Sequence, residues 1–440
     1  MNAPKIIALP LLLFICLKVF SQEIPEVEKL RDYAQQHMPR RYDSSLSYTN
    51  LMPGGNLNYL YPLYQLFKQE KKFREIETDN GYYDNICQSF AFVGDYQSAL
   101  EYQQKKYEEP DAATVRQIKK TVDELKGLQF VDARVYISFL AQNYKVIMLN
   151  EAHDKPFHRA FALSLLEDLY KKGFRYLAME MLSDDIGQQL HMLTSATGYY
   201  CNEPVAGELV RRALEIGFKL VPYEDSLGMV HSPMQRDSVQ AQNIYKLLQK
   251  DPNVKIFVYA GYGHIAKKSL GDGYIPMGLA LKKISGIDPL CIDQTDMTDA
   301  SEMGYGKALY QAYTEKFLIN KSSIAMEGTE PVNISNNQNY DLIVIHPTTK
   351  YRDGRPSWLD LGSLRQAVYI KPTVPETFLA QAYYEGETKK FGPGQIVPAD
   401  QTYIKTNKQN FLLYLRKGKY LITFRDITYR LIGKLTIEVN

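Results

Sequence analysis

The chain has 440 residues, 45% of them hydrophobic and 23% charged, the mixture of a globular protein rather than a disordered one. Its 52 Lys+Arg against 50 Asp+Glu give a net charge of +2, and both excess cations, Lys5 and Lys18, lie in the first 21 residues. The remainder is balanced, which excludes binding driven by nucleic-acid phosphate. The length predicts two or three domains. Tyrosine is the compositional outlier at 34 residues. Its ring packs while its hydroxyl stays wet, which suits grooves and half-exposed surfaces.

The first segment predicts an address. Lys5 precedes the apolar run Ile6–Leu17, and Phe20-Ser21-Gln22 follows, so a secretory leader over residues 1–21 is expected. A lipoprotein leader would need small residues before Cys16, where Phe14 and Ile15 stand. The expected protein is exported, to the periplasm, the cell surface or beyond, with no stable membrane span. Cys87, Cys201 and Cys291 then remain, widely spaced, so at most one disulfide and no thiolate zinc site is expected.

Residues 22–130 predict a helical cap. Asn56–Phe67 carries apolar residues at helical spacing. Phe92–Tyr102 looks like the inter-helix turn of a tetratricopeptide unit, with Gly94 permitting the turn and Ala99 the close approach of two helices. Over 131–350 short apolar runs alternate with helical stretches. The runs are Lys145–Leu149, Arg175–Met179, Phe218–Tyr223, Lys255–Tyr259, Pro289–Ile292 and Asp341–Ile345. This alternation predicts an α/β fold, a doubly wound, mostly parallel sheet with helices on both faces. The loop Arg352–Trp358 marks a boundary or a functional loop. After 365, short Tyr-, Ile- and Val-rich runs predict a small antiparallel β-sandwich-like module suited to attachment, spacing or protein contact.

In a parallel α/β sheet ligands bind beyond the carboxyl ends of the strands. All six predicted strands are followed there by Glu, Asp or His. Asn150-Glu151-Ala152-His153-Asp154 follows the first, Glu180 the second, Glu224-Asp225 the third, Gly261–His264 the fourth and Asp293 the fifth; the sixth is followed by His346. Asp154 before Pro156 also fits a helix cap, and His346 before Pro347 fits a hydrogen-bonded spectator. His158 either approaches the same crevice or stands exposed in the first turn of its helix. Two chemistries could use the set. His153, His264 and Glu151 could hold a divalent metal with an open position for water. Alternatively, a histidine oriented by a carboxylate could take the proton from water directly.

These residues carry a resemblance. Ile147–His158, a helix, then Tyr176–Met181, resembles the opening of the ChaN-like haem-binding lipoproteins. Their pairing of two Gly-x-x-His motifs is shared by the Tiki/TraB proteases and, distantly, by the erythromycin esterases. The second motif stands intact as Gly261-Tyr-Gly-His264, and Gln235–Asn243 looks like the family's Arg-containing helix before it. The first motif departs, with Asn150 where the family has Gly, a side chain expected to narrow the pocket or add a ligand. The likeness covers about residues 140–270. It implies Glu151, His153, Glu180, Arg236 and His264 around one cleft. It also implies a hydrolase acting on an ester, lactone or peptide bond, with Arg236 steadying the oxyanion, or a haem carrier with a Tyr or His ligand and no turnover. A third reading is a surface interaction protein in which the cap and the β module do the work.

Overall fold

A computed structural model describes residues 25–38, 50–107, 110–184, 192–227, 230–251, 253–301, 306–404 and 409–440. The leader expected over residues 1–21 lies outside them. Among the described residues no helix is long and apolar enough to cross a membrane.

The chain begins with α1 (Pro25–His37), α2 (Tyr61–Val93), α3 (Tyr96–Gln104) and α4 (Ala112–Glu124). Gly94, at φ 83°, closes α2, and the Asp95 carboxylate accepts from the Ser98 N–H to open α3. A two-residue turn with a bare α-carbon at its tip thus sets α3 against α2. That tip cannot carry a side chain: a Cβ on Gly94 would lie 2.5 Å from the carbonyl oxygen of Gln401.

Next come β1 (Leu128–Asp132), α5 (Ala133–Leu140), β2 (Val146–Glu151), α6 (Pro156–Lys171), β3 (Phe174–Met179), α7 (Pro204–Ile216) and β4 (Lys219–Val221). They are followed by α8 (Pro233–Lys250), β5 (Lys255–Gly261), α9 (Met277–Ser285), β6 (Leu290–Met297), α10 (Gly306–Lys316), β7 (Ser323–Glu327), β8 (Glu330–Pro331) and β9 (Leu342–Ile345). Nine strands form one mixed sheet in the order β1-β7-β9-β6-β2-β5-β3-β4, with β8 paired to β7. From β9 to β4 the six strands run parallel, whereas β7 is antiparallel to both β9 and β1. β2 is buried along its whole length, which explains its unbroken apolar run before Asn150. Its alternate residues enter different cores. Ile147 and Leu149 join a cluster with α6 and α7, while Val146 and Met148 join one with residues of α8 and α9.

The C-terminal part opens with the short hairpin β10 (Tyr351–Arg352) and β11 (Arg355–Pro356). It continues as β12 (Gln366–Ile370), β13 (Leu379–Tyr384), α11 (Glu385–Thr388), β14 (Asp400–Tyr403), β15 (Phe411–Leu415), β16 (Gly418–Arg425) and β17 (Leu431–Val439). β12 pairs with β15, and β14-β13-β16-β17 form a second antiparallel sheet. Leu379, Leu412 and Tyr414 belong to the same core as α2, α6 and α7. Buried Arg211 of α7 reaches Glu387 (2.7 Å) and the Val397 carbonyl (2.6 Å), and Tyr384 donates to Glu208 (2.9 Å). Cys87, Cys201 and Cys291 are all buried and free, so the one disulfide that the count allowed does not form.

Candidate active site

The parallel register of β2, β5 and β3 decides which residues meet. Glu151 lies beside Gly261, and Met179 beside Tyr259, so the segments leaving these three strands emerge together. The Glu180 N–H donates to the Tyr259 carbonyl (3.1 Å), which fixes the carboxylate at the end of β3 next to Gly261. Gly261 is pinched: an added Cβ would stand 2.5 Å from the His153 ring and 3.2 Å from Glu180 Oε2. A bare α-carbon at that point lets His153 and Glu180 face one space.

The first half of the site is a buried ion network. Fully buried Arg159, on α6, donates to Glu151 through Nε (2.9 Å) and Nη2 (3.0 Å), and to the His153 carbonyl (2.7 Å). Its Nη1 reaches Glu203, which caps α7 through the Val205 and Ala206 N–H groups. Burial alone would push the Glu151 carboxyl up, but Arg159 and His153 outweigh it and hold the pKa at about 2. Glu151 is therefore an ionised acceptor, and it takes the Nδ1–H of His153 at 3.0 Å. The His153 ring stacks on Tyr200 (4.3 Å between centroids) and meets Tyr262 edge-on. With Nδ1 committed, Nε2 is the nitrogen left for chemistry.

The second half is built on α8. Arg236 donates to Glu224 through Nε (2.9 Å) and to Glu180 Oε1 through Nη2 (2.7 Å). The Gly261 N–H donates to the other oxygen of Glu180 (2.5 Å). His264 gives its Nδ1–H to Asp237 at 2.6 Å, and Asp237, fully buried, also accepts from the Met277 N–H at the start of α9 (3.1 Å). His264 Nε2 then lies 3.4 Å from Arg236 Nη1 and 3.7 Å from Glu180 Oε1. Burial pulls the His264 pKa down, but Asp237 and Glu180 reverse this and leave it above its ordinary value. The same charges act on Glu180. Burial raises its pKa, and His264, His153, the Gly261 N–H and Arg236 together bring it below the usual carboxylate value.

The structure thus gathers Glu151, His153, Glu180, Arg236 and His264 at one end of the sheet. Asp237 and Arg159 join them without having been singled out in the sequence. Asp237 directly follows Arg236 in a polar helix stretch, and Arg159 follows a histidine; only the packing of α8 and α6 turns them inward. Other candidates fall away. The Asn150 side chain does not enter the cleft, because it donates to Asp293 (2.6 Å) and the Tyr262 carbonyl (3.1 Å) and ties β2 to β6. His158 is neither in the crevice nor exposed: it is fully buried and accepts from the Ala152 N–H (3.0 Å). His346 is a buried spectator bonded to Ser322 and Gln294, its pKa driven down to about 3 by burial. Asp154 accepts from Gln103 of α3, an ion–amide link to the helical region.

The expected metal shell of His153, His264 and Glu151 does not assemble. Glu151 spends both oxygens on Arg159 and His153, and the Arg236 guanidinium already supplies the cation between Glu180 and His264. Among the described residues no three His, Cys, Asp or Glu side chains are grouped to hold a metal ion. Haem fits no better. The cleft beside His153, about 430 Å³, has Asp84, Asn85, Gln88 and Lys106 in its wall, where a porphyrin pocket would be mostly apolar.

No family model matches the chain, and no curated protein matches it. Among solved structures, the type III effector HopBA1 gives a TM-score of 0.31 at 12% identity, over 50% of this chain and 97% of that one. RRSP, a MARTX toxin effector domain from Vibrio vulnificus CMCP6, gives 0.30 at 15% identity, over 62% of each chain. A structure described as bacterial protein toxins gives 0.32 at 15% identity, over 62% of this chain and 64% of that one. Likenesses this slight carry no argument about the chain.

Proposed function

We propose that this chain is a metal-free hydrolase of carboxylic esters, built on a doubly wound α/β domain related to the ChaN, Tiki/TraB and erythromycin esterase group. One observation carries the reading: two histidines each give Nδ1–H to a buried carboxylate at the end of the sheet that also holds Glu180 and Arg236. A carboxylate on Nδ1 fixes the tautomer and supports the imidazolium that forms during proton transfer.

In this scheme His264 Nε2 takes a proton from water as the oxygen attacks the ester carbon. Arg236, fixed by Glu180 and Glu224, supports the oxyanion. His153, held by ionised Glu151, passes a solvent-derived proton through Nε2 to the departing alkoxide as the carbon–oxygen bond breaks. The products are an acid and an alcohol, and solvent returns the proton from His264 to His153. Lactones fit the same scheme. Peptide bonds demand more of the acid, so esters are the substrate class the geometry favours.

The test is hydrolysis of ethyl butyrate, whose alkoxide leaving group needs a proton, by wild type, His153→Ala and His264→Ala. Both rings are partly exposed, at 22% and 19%, so both variants are expected to fold. Each is expected to lose about a hundredfold in kcat or more, the usual worth of a positioned acid or base. Folded variants that keep full turnover would overturn the proposal.

A further inference from the structure

The two segments that flank Arg236 and His264 turn aliphatic side chains outwards. Between β4 and α8, Val230 is 78% and Leu227 56% exposed, and Met234 is exposed in the first turn of α8. Leu270 is exposed in the loop that follows His264. Hydrogen bonds hold these side chains out. Asp225 accepts from the Leu227 N–H (3.0 Å) and from the His231 Nδ1–H (2.5 Å). The Leu227 carbonyl accepts from the N–H groups of Val230 (2.9 Å) and His231 (3.1 Å). On the other side the Leu270 N–H donates to the Tyr274 carbonyl (3.1 Å), and the Tyr274 N–H to the Gly271 carbonyl (2.8 Å), which closes a turn. Aliphatic residues exposed singly need no explanation, but a set fixed around one site does.

Both segments join the site. Asp225 directly follows Glu224, which accepts from Arg236 Nε at 2.9 Å. Leu270 leans over Gly263, where an added Cβ would stand 3.1 Å from its methyl carbon, and Gly263 precedes His264. Tyr274 links the two segments, its hydroxyl donating at 3.5 Å to the carbonyl of Pro233, the neighbour of Met234. Polarity is therefore graded from buried Asp237, through the partly exposed His264 and Arg236, to methyl groups at the mouth. That gradient fits an amphiphile with its polar group against Arg236 and an aliphatic chain along the mouth. In the scheme above, water is delivered to the carbonyl carbon by His264 and the oxyanion lies at Arg236, so the acyl half of the ester is the half on this side. The alcohol departs towards His153.

We infer that the substrate is an ester of a medium- or long-chain fatty acid whose chain lies along Leu227, Val230, Met234 and Leu270, and that these four residues determine specificity. The inference rests on the hydrolase reading for the reaction. Binding of a fatty acid tests it apart from turnover.

The experiment compares ethyl octanoate with ethyl butyrate, each below its solubility limit, in wild type, in the double variant Leu227→Ser, Val230→Ser, and in Leu270→Ser. Sodium octanoate binding is measured by calorimetry and molecular mass by light scattering. A fully buried methylene is worth about fourfold in binding. Four more of them along a half-open mouth should raise the wild-type kcat/KM by about tenfold or more. In the double variant that ratio should fall by about fivefold or more while ethyl butyrate turnover is kept, and octanoate binding should weaken in step. Leu270→Ser should lower the ratio as well. The replaced side chains are all exposed, so the variants are expected to fold. A wild type without preference for the longer chain, or a preference that the variants keep, overturns the inference. So does a wild-type dimer that the variants dissolve with the preference unchanged, since the face then belongs to a second copy of the chain. If ethyl butyrate is cleaved but octanoate does not bind, the hydrolase reading stands alone. If neither ester is cleaved and octanoate binds wild type but not the double variant, the acyl-chain site stands and the hydrolase reading falls.

Discussion

Glu151 and Asp237 perform the same task from different starting points. Each is buried, and each holds a histidine by its Nδ1–H. Glu151 was legible in the sequence because it sits two residues from His153 at the end of an apolar run. Asp237 was not, because its histidine lies 27 residues away in the turn that follows β5, and only the tertiary fold brings α8 beside that turn. Glu151 also neutralises the fully buried Arg159. Glu151→Gln is therefore expected to cost about 3–5 kcal/mol at pH 7, since it leaves a buried guanidinium with Glu203 alone. The Glu151 pKa is depressed in the folded protein, so its contribution is present above the unfolded value of 4.5 and is lost as pH falls towards 2. Urea unfolding of the two proteins should show the gap shrinking in acid. A gap that held constant down to pH 3 would remove Glu151 from this role.

At the scale of elements, the strands around the site were legible because they are buried on both faces and read as unbroken apolar runs. The far edge was not. β1 and β7 are five residues each, and β1, whose residues are mostly half-buried, carries Gln and Asp among its apolar residues, so neither gives a clear period. β6 runs on to Met297 through Asp293, Gln294 and Asp296, polar residues that a strand tolerates here because Asn150, Ser335 and Asn337 satisfy them. The α2–α3 turn was visible through Gly94, but its second contact was not: Gln401 of β14 presses on it from 307 residues further along the chain. Gly94→Ala is expected to destabilise the fold by about 1–3 kcal/mol. Gly328→Ala makes the comparison, having a positive φ (60°) with nothing within 4 Å of the added carbon. Thermal unfolding should rank Gly94→Ala clearly below Gly328→Ala; equal losses would mean that the contact with Gln401 is slack.

Over the whole molecule, the three segments read from composition share one core, and the C-terminal strands brace α2 and α7 through Gln401, Arg355, Arg211 and Tyr384. That bracing holds the α2–α3 wall over the carboxyl ends of the strands, which is how a helical region reaches the cleft beside His153. Sequence placed the candidate site residues at one end of a sheet; it could not place the wall opposite them, because that contact joins residues 84–106 to residues 153–262.

The most direct test of the account is the pH dependence of p-nitrophenyl acetate hydrolysis in wild type and Asp237→Asn. In the proposed scheme His264 would act as a base only when neutral, so activity should fall as pH drops through its pKa, which Asp237 and Glu180 hold above the ordinary value despite burial. The wild-type acid limb should lie above about pH 6.5, the ordinary imidazole pKa. Asp237→Asn should move that limb to lower pH and lower the plateau by about a hundredfold. A variant that folds, binds and keeps both the limb and the plateau of wild type would contradict the assignment of His264 as the base.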